Sequence, residues 1–134
     1  MIFFDGSCDK NPGPAACGFT VNVNGAETHF EIAFLGFATN NIAEYNGLLN
    51  ALKYCEVNRI YKQEIYGDSL LVVNQVNGLW KVKSDKLKQL NVICKDLMKR
   101  TECTLQWVPR ESNERADQLS RIALRYTRDK AMAD

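Results

Sequence analysis

The stretch Met1-Ile2-Phe3-Phe4-Asp5-Gly6-Ser7-Cys8 reads as a β-strand in which an apolar run ends on a carboxylate. Side chains alternate along a strand, so Ile2 and Phe4 share one face while Phe3 and Asp5 share the other. A carboxylate beside a core strand is costly unless it is paired or binds a cation. The rim formed by strand ends in an open α/β sheet is also where ligands collect. Asp5 therefore marks a first strand and a candidate site together.

Working outward, Asp9-Lys10-Asn11-Pro12-Gly13-Pro14 is a turn by composition. Ala15 to Val23 reads as a second strand, and Asn24-Gly25 is a strong hairpin signal. Glu27 to Phe37 alternates as a third strand. Thr39-Asn40-Asn41 caps a helix through about Glu56, with Ile42, Tyr45, Leu49 and Leu52 on one stripe. Ala43, Gly47 and Ala51 give that helix a small-residue face suited to close packing. Gln63 to Gly67 is a short strand, and Ser69 to about Asn77 a short helix that Gly78-Leu79-Trp80 breaks. Trp80 is expected in the core. Ser84-Asp85 opens a long helix to Arg100 with Leu87, Leu90, Cys94 and Leu97 inward. Cys103 to Val108 is a last strand, and Asn113 to about Thr127 a last helix. The order βββ-α-β-α-α-β-α predicts an α/β fold. Its five-stranded mixed sheet has the first three strands antiparallel and helices on both faces. Residues 1–127 are expected to form one domain, with 128–134 as a loose tail.

The bulk numbers exclude several classes. A chain of 134 residues, 46% hydrophobic and 25% charged, has the mix of an ordinary globular domain. No apolar stretch approaches the roughly 20 residues of a membrane span. The apolar start, without a basic leader, is not read as a secretory signal, and a cytoplasmic location is expected. The five cysteines are odd in number and lack C-x-x-C spacing, which suits inert thiols in a reducing compartment. The single histidine, His29, falls in a strand pattern and is not read as a catalytic base. Net charge is +1, but residues 1–67 hold 4 Lys/Arg and 7 Asp/Glu, and residues 68–134 hold 13 and 9. That asymmetry fits a polyanionic partner, and solvated helix faces account for any single basic cluster equally well.

Three more acids stand in contexts unlike that of Asp5 and unlike one another. Glu44 lies in the first turn of the helix opened by Asn40-Asn41, Asp68 follows the strand Ile65-Tyr66-Gly67, and Asp117 sits early in the last helix. Each has a structural alternative. Glu44 suits a helix N-terminus, Asp68 could cap the next helix, and Asp117 could pair with Arg121 at i, i+4. Together they suggest carboxylates from four elements converging on one point, where repulsion would raise their pKa values unless hard cations sat among them. Two such cations suit in-line phosphoryl displacement and dispense with a histidine base.

These residues carry a family pattern. Phe4-Asp5-Gly6-Ser7-Cys8 with Asn11-Pro12-Gly13-Pro14, Thr39-Asn40-Asn41-Ile42-Ala43-Glu44-Tyr45, Gly67-Asp68-Ser69, and Trp107-Val108-Pro109-Arg110-Glu111 with Asn113 and Asp117 stand in the family's order. Nearly the whole chain thus resembles type 1 ribonuclease H. The resemblance implies a ribonuclease H-like fold and an endoribonuclease that hydrolyses the RNA strand of RNA–DNA hybrids, leaving 5′-phosphate and 3′-hydroxyl ends. It implies that Asp5, Glu44, Asp68 and Asp117 hold two Mg²⁺ ions, with Mn²⁺ as a substitute. Gly6, Ser7, Asn11, Asn40, Asn41, Ser69 and Arg110 would meet the hybrid.

The chain also departs from the family pattern. The loop Pro109-Arg110-Glu111-Ser112 lacks the histidine that many members carry there, and Arg110 is the nearest counterpart. Trp80 to Asp85 is too short for the basic protrusion of many members, which matches the compact archaeal and bacterial form. Lys81, Lys83 and Lys86 would give a reduced grip, and Leu70 replaces a residue that is polar in many members. A monomer is expected, with double-stranded RNA as an additional substrate class. The alternatives are a non-catalytic nucleic-acid-binding module and a DNA-cutting relative on the same fold.

Overall fold

The computed structural model describes residues 1–133, with side chains described as far as Tyr126. Strands β1 (Ile2–Cys8), β2 (Gly13–Val23) and β3 (Ala26–Ala38) lead into helix α1 (Asn40–Val57). Then come β4 (Glu64–Gly67), α2 (Leu70–Val76), α3 (Asp85–Thr101), β5 (Thr104–Trp107) and α4 (Glu114–Ala133), with a 3-10 turn at Arg110–Ser112. The sheet order is β3-β2-β1-β4-β5. β1 to β3 form an antiparallel meander, and β4 and β5 are added in parallel. The expected α/β architecture is the one observed. Helix α4 runs past the end predicted near Thr127. The side chains from Thr127 onward and all of Asp134 lie outside the described residues, and so does the expectation of a loose tail as it bears on them.

Local chemistry accounts for the element ends. Asn24 and Gly25 turn the β2–β3 hairpin with φ of 52° and 80°, the left-handed pair that suits right-twisted strands. Thr39, Ser69 and Ser84 cap α1, α2 and α3, their side chains accepting from Ile42 N, Val72 N and Leu87 N.

Even-numbered residues of β1 face α1: Ile2 and Phe4 join Tyr45, Leu48, Leu49, Leu52, Val72, Leu87, Cys94 and Leu97 in the core. Buried among them, Tyr45 Oη donates to Gln75 Oε1 (2.7 Å), and Asn91 Nδ2 donates to Tyr45 Oη (3.2 Å). The other face of the sheet carries α4, whose Leu119 lies against Gly18. Glycine makes the α1 contact possible. A Cβ at Gly47 would lie 2.9 Å from the Asp5 carbonyl oxygen, so the small-residue stripe of α1 brings its backbone onto β1.

Trp80 is not in the core as expected, being 49% exposed. After Gly78 (φ 81°) the chain folds back on α2, with Leu79 N and Trp80 N both donating to the Asn74 carbonyl. Residues 79 and 80 are thereby held outside, while Leu87, Cys94 and Leu97 of α3 join the core. The apolar side of β3 is also half-exposed at Phe30, Ile32 and Phe34, because β3 is an edge strand.

Candidate active site

β1 and β4 are parallel, with Ile2 opposite Ile65 and Phe3 opposite Tyr66. Two residues further on, the same register sets Asp5 beside Asp68. β4 ends at Gly67 while β1 continues to Cys8, so a crevice opens at the carboxyl ends of the parallel strands. Asp5 is buried there, 4% exposed. Glu44 is the fifth residue of α1, one residue beyond the first turn where the sequence reading put it. It reaches the same point because Gly6 lets α1 lie against β1. A Cβ at Gly6 would fall 2.3 Å from Ala43 C and 2.4 Å from Glu44 N. Asp5, Glu44 and Asp68 each offer a carboxylate oxygen, and these oxygens lie within 4.8 Å of one another. Asp117 lines the same cavity, about 660 Å³, from the first turns of α4. The start of α4 is docked beside Asp5 by Asn113, whose Nδ2 donates to the Phe4 carbonyl at 2.9 Å.

Two of the structural alternatives are resolved at the level of contacts. The cap of α2 is Ser69, not Asp68, and no hydrogen bond engages the Asp68 carboxylate among the described residues. Asp117 does pair with Arg121, whose Nε donates to Asp117 Oδ1 at 3.1 Å.

Of the residues expected to meet a substrate, Gly6, Ser7, Asn40 and Arg110 line the cavity. Asn11, Asn41 and Ser69 do not. Asn11 braces the cavity from outside, its Oδ1 accepting from the Asn40 backbone N–H at 3.0 Å. Asn41 is exposed on the first turn of α1, and the Ser69 hydroxyl is taken up as a cap. Ser7 Oγ donates to Ser120 Oγ at 2.8 Å, tying the rim of β1 to α4. The sequence reading missed Arg121 and Arg125 as cavity residues. Their spacing of i+4 and i+8 from Asp117 puts them on one helical stripe with it.

A family model described as reverse transcriptase-like matches residues 3–123. The ribonuclease HI of Halobacterium salinarum is 37% identical over 124 residues, covering 91% of this chain and 62% of that protein. A solved structure described as ribonuclease H1 from that archaeon superposes with a TM-score of 0.85, at 36% identity, over 92% of this chain and 95% of the other. LC11-RNase H1, isolated from compost and solved in complex with an RNA/DNA hybrid, gives a TM-score of 0.87 at 33% identity over 98% and 97% of the two chains. The chain belongs to the type 1 ribonuclease H family. It spans 62% of the curated Halobacterium relative's length and 38% of a bifunctional Mycobacterium tuberculosis relative that is 36% identical. As in the compact form of type 1 ribonuclease H, the connection from α2 to α3, residues 77–84, holds no additional helix.

The acids of this ribonuclease H domain fit a dication on the chemistry of the donor set. Glu44 Oε2 is buried with no hydrogen-bond partner among the described residues. Burial pushes the Glu44 carboxyl well above its ordinary range, and the charges of Asp5 and Asp68 push it further. Burial also raises Asp5, from 3.8 to about 7, with the contact to Glu44 opposing and the charges of Asp68 and Asp117 adding to the rise. An unpartnered oxygen among crowded, reluctant carboxylates is a place that a hard cation stabilises.

The sign of the pH dependence follows. A raised acid binds its proton more tightly in the folded state, so metal-free stability falls as pH rises from about 3.8 to about 7. A loss of roughly 2–4 kcal/mol over that window is expected in urea titrations. Mg²⁺ should restore more stability at pH 8 than at pH 5. A metal-free profile that rises or stays flat across the window would contradict the crowding.

Proposed function

We propose that this chain is an endoribonuclease that hydrolyses the RNA strand of RNA–DNA hybrids, working as a cytoplasmic monomer. The observation that carries the reading is the meeting of Asp5, Glu44, Asp68 and Asp117, from four separate elements, around one open cavity. The four acids would hold two Mg²⁺ ions, or Mn²⁺ in their place. Bound there, the ions supply Lewis acidity, acidifying the attacking water and neutralising charge on the scissile phosphate's oxygens.

The chain's own groups do the rest. Gly6 contributes to the cavity wall while its bare Cα faces α1, which keeps Glu44 at the site. The neutral polar groups of Ser7, Asn11, Asn40, Asn41 and Ser69 suit the shallow minor groove of a hybrid, where the 2′-hydroxyl separates RNA from DNA. Asn11 uses only its Oδ1 to brace α1, which leaves its amide N–H groups for a ribose. Arg110, at the cavity mouth, fits a phosphate and cannot shuttle a proton. With no basic protrusion between α2 and α3, binding would be weak and salt-sensitive, and a looser substrate range that includes double-stranded RNA follows.

Incubation with a hybrid, an RNA duplex and a DNA duplex, each with Mg²⁺ or with EDTA, tests the reading. The RNA of the hybrid should shorten only with Mg²⁺, giving 5′-phosphate and 3′-hydroxyl ends, while the DNA duplex stays whole. A hybrid shifted equally in a gel under both conditions and never shortened would make the chain a binding module. Cutting of DNA with RNA spared would make it a DNA nuclease.

A further inference from the structure

The acids of the cavity converge. Asp5, Glu44 and Asp68 bring oxygens within 4.8 Å of one another, and the Asp117 side chain is in hydrogen-bond contact with that of Asp5. Two arginines of the same cavity are instead drawn out in a line. Arg121 and Arg125 follow Asp117 along α4 at intervals of one helical turn. At 1.5 Å rise per residue they stand about 6 and about 12 Å beyond Asp117 along the axis. Neighbouring phosphates on one nucleic-acid strand are spaced much as the two arginines are.

Their donors are available. Arg100 and Arg115, away from the cavity, are tied by paired hydrogen bonds to Glu56 and Glu27. Arg121 spends its Nε on Asp117 Oδ1, one of the five N–H donors of a guanidinium. That bond also links the first arginine to the acid that meets Asp5. Arg125 is exposed and makes no ion pair among the described residues. A planar guanidinium with free donors binds a phosphate through two parallel hydrogen bonds.

Resting on the ribonuclease reading, we propose that Arg121 and Arg125 hold two successive phosphates of the RNA strand, both on one side of the bond that is cut. Asp117 fixes Arg121 next to the acids, so the inner phosphate falls to Arg121 and the outer one to Arg125. The footprint is therefore one-sided, and cutting closer than two phosphates to that end of the RNA is inefficient.

The test uses hybrids in which 2′-O-methyl sugars confine cutting to one junction and a single neutral methylphosphonate replaces each RNA phosphate in turn. With wild type, neutralising either of two adjacent phosphates on one side should raise KM roughly tenfold with little change in kcat. Arg125→Gln should show the same rise on the fully charged hybrid and no further loss when the outer phosphate is neutral. Arg121→Gln should be insensitive in the same way to the inner one. Each variant should also lower the salt dependence of log KM by about one. An unchanged KM in Arg125→Gln would overturn the proposal. So would losses that add in full at every position, because they would reduce the arginines to general cavity charge. A wild type that cuts no hybrid condemns the ribonuclease reading. Fluorescence anisotropy on the same neutralised hybrids then reads the pairing of arginine with phosphate in Kd, and additive losses there would overturn it too.

Discussion

Asp68→Asn should lose hybrid cleavage by about 10³-fold or more, equivalent to ~4 kcal/mol in the barrier, while the protein remains folded. Asp68 carries no structural duty that asparagine would fail to perform. Ser69 caps α2, and the contribution of residue 68 to packing is its backbone carbonyl, which accepts from Trp107 Nε1 at 3.2 Å. Its carboxylate is one of three within 4.8 Å, and its charge raises the proton affinity of Asp5 and Glu44. Removing that charge relieves repulsion, so metal-free stability should hold or rise at neutral pH. Single-turnover cleavage beside thermal melts, each with and without Mg²⁺, makes the measurement. A folded Asp68→Asn protein that cuts at a near-normal rate would remove Asp68 from the cation site.

Gly6→Ala should be a strongly damaging one-carbon change. The added Cβ would meet Ala43 C at 2.3 Å, Glu44 N at 2.4 Å and Ala43 O at 2.5 Å. All three are backbone atoms, so no side-chain rotation relieves the clash, and β1 must part from α1. Overpacking of this kind costs about 3 kcal/mol. It also moves Glu44 away from Asp5, so whatever fraction folds should lose both Mg²⁺-dependent stabilisation and cleavage. At Gly67 the intruding contact is the Phe4 ring, with Cζ at 2.3 Å, which is side chain and not backbone. Gly67→Ala should therefore lose less stability than Gly6→Ala in urea melts. A reversed order would mean that the α1 contact yields more readily than the core ring.

The architecture was legible wherever a short-range rule governs. The Asn24-Gly25 turn, the Thr39 and Ser84 caps and the small stripe on α1 each depend on a few neighbouring residues, and each appears in the structure as its chemistry requires. The meeting of the acids was legible because a carboxylate on a core strand is too costly to stand there without a counter-charge. What escaped is set by tertiary context. Trp80 has the composition of a core residue, and the fold-back after Gly78 keeps it outside. Asn91 looks like a surface position on α3, but it is buried because Tyr45 supplies a partner for its amide. Asp68 could not be told from a helix cap until the neighbouring serine was seen doing that work. Arg121 was taken only as a surface partner for Asp117, because helical spacing says that two residues share a stripe and not that the stripe lines a cavity.

The hydrogen bond from Asn113 to the Phe4 carbonyl joins the last helix to the first strand. During synthesis, a ribosome-bound chain that has emerged only as far as β5 already holds three of the acids and lacks the fourth. The fold thus delays assembly of the four-acid cavity until α4 has left the ribosome, and no early fragment of the nascent chain carries the complete set.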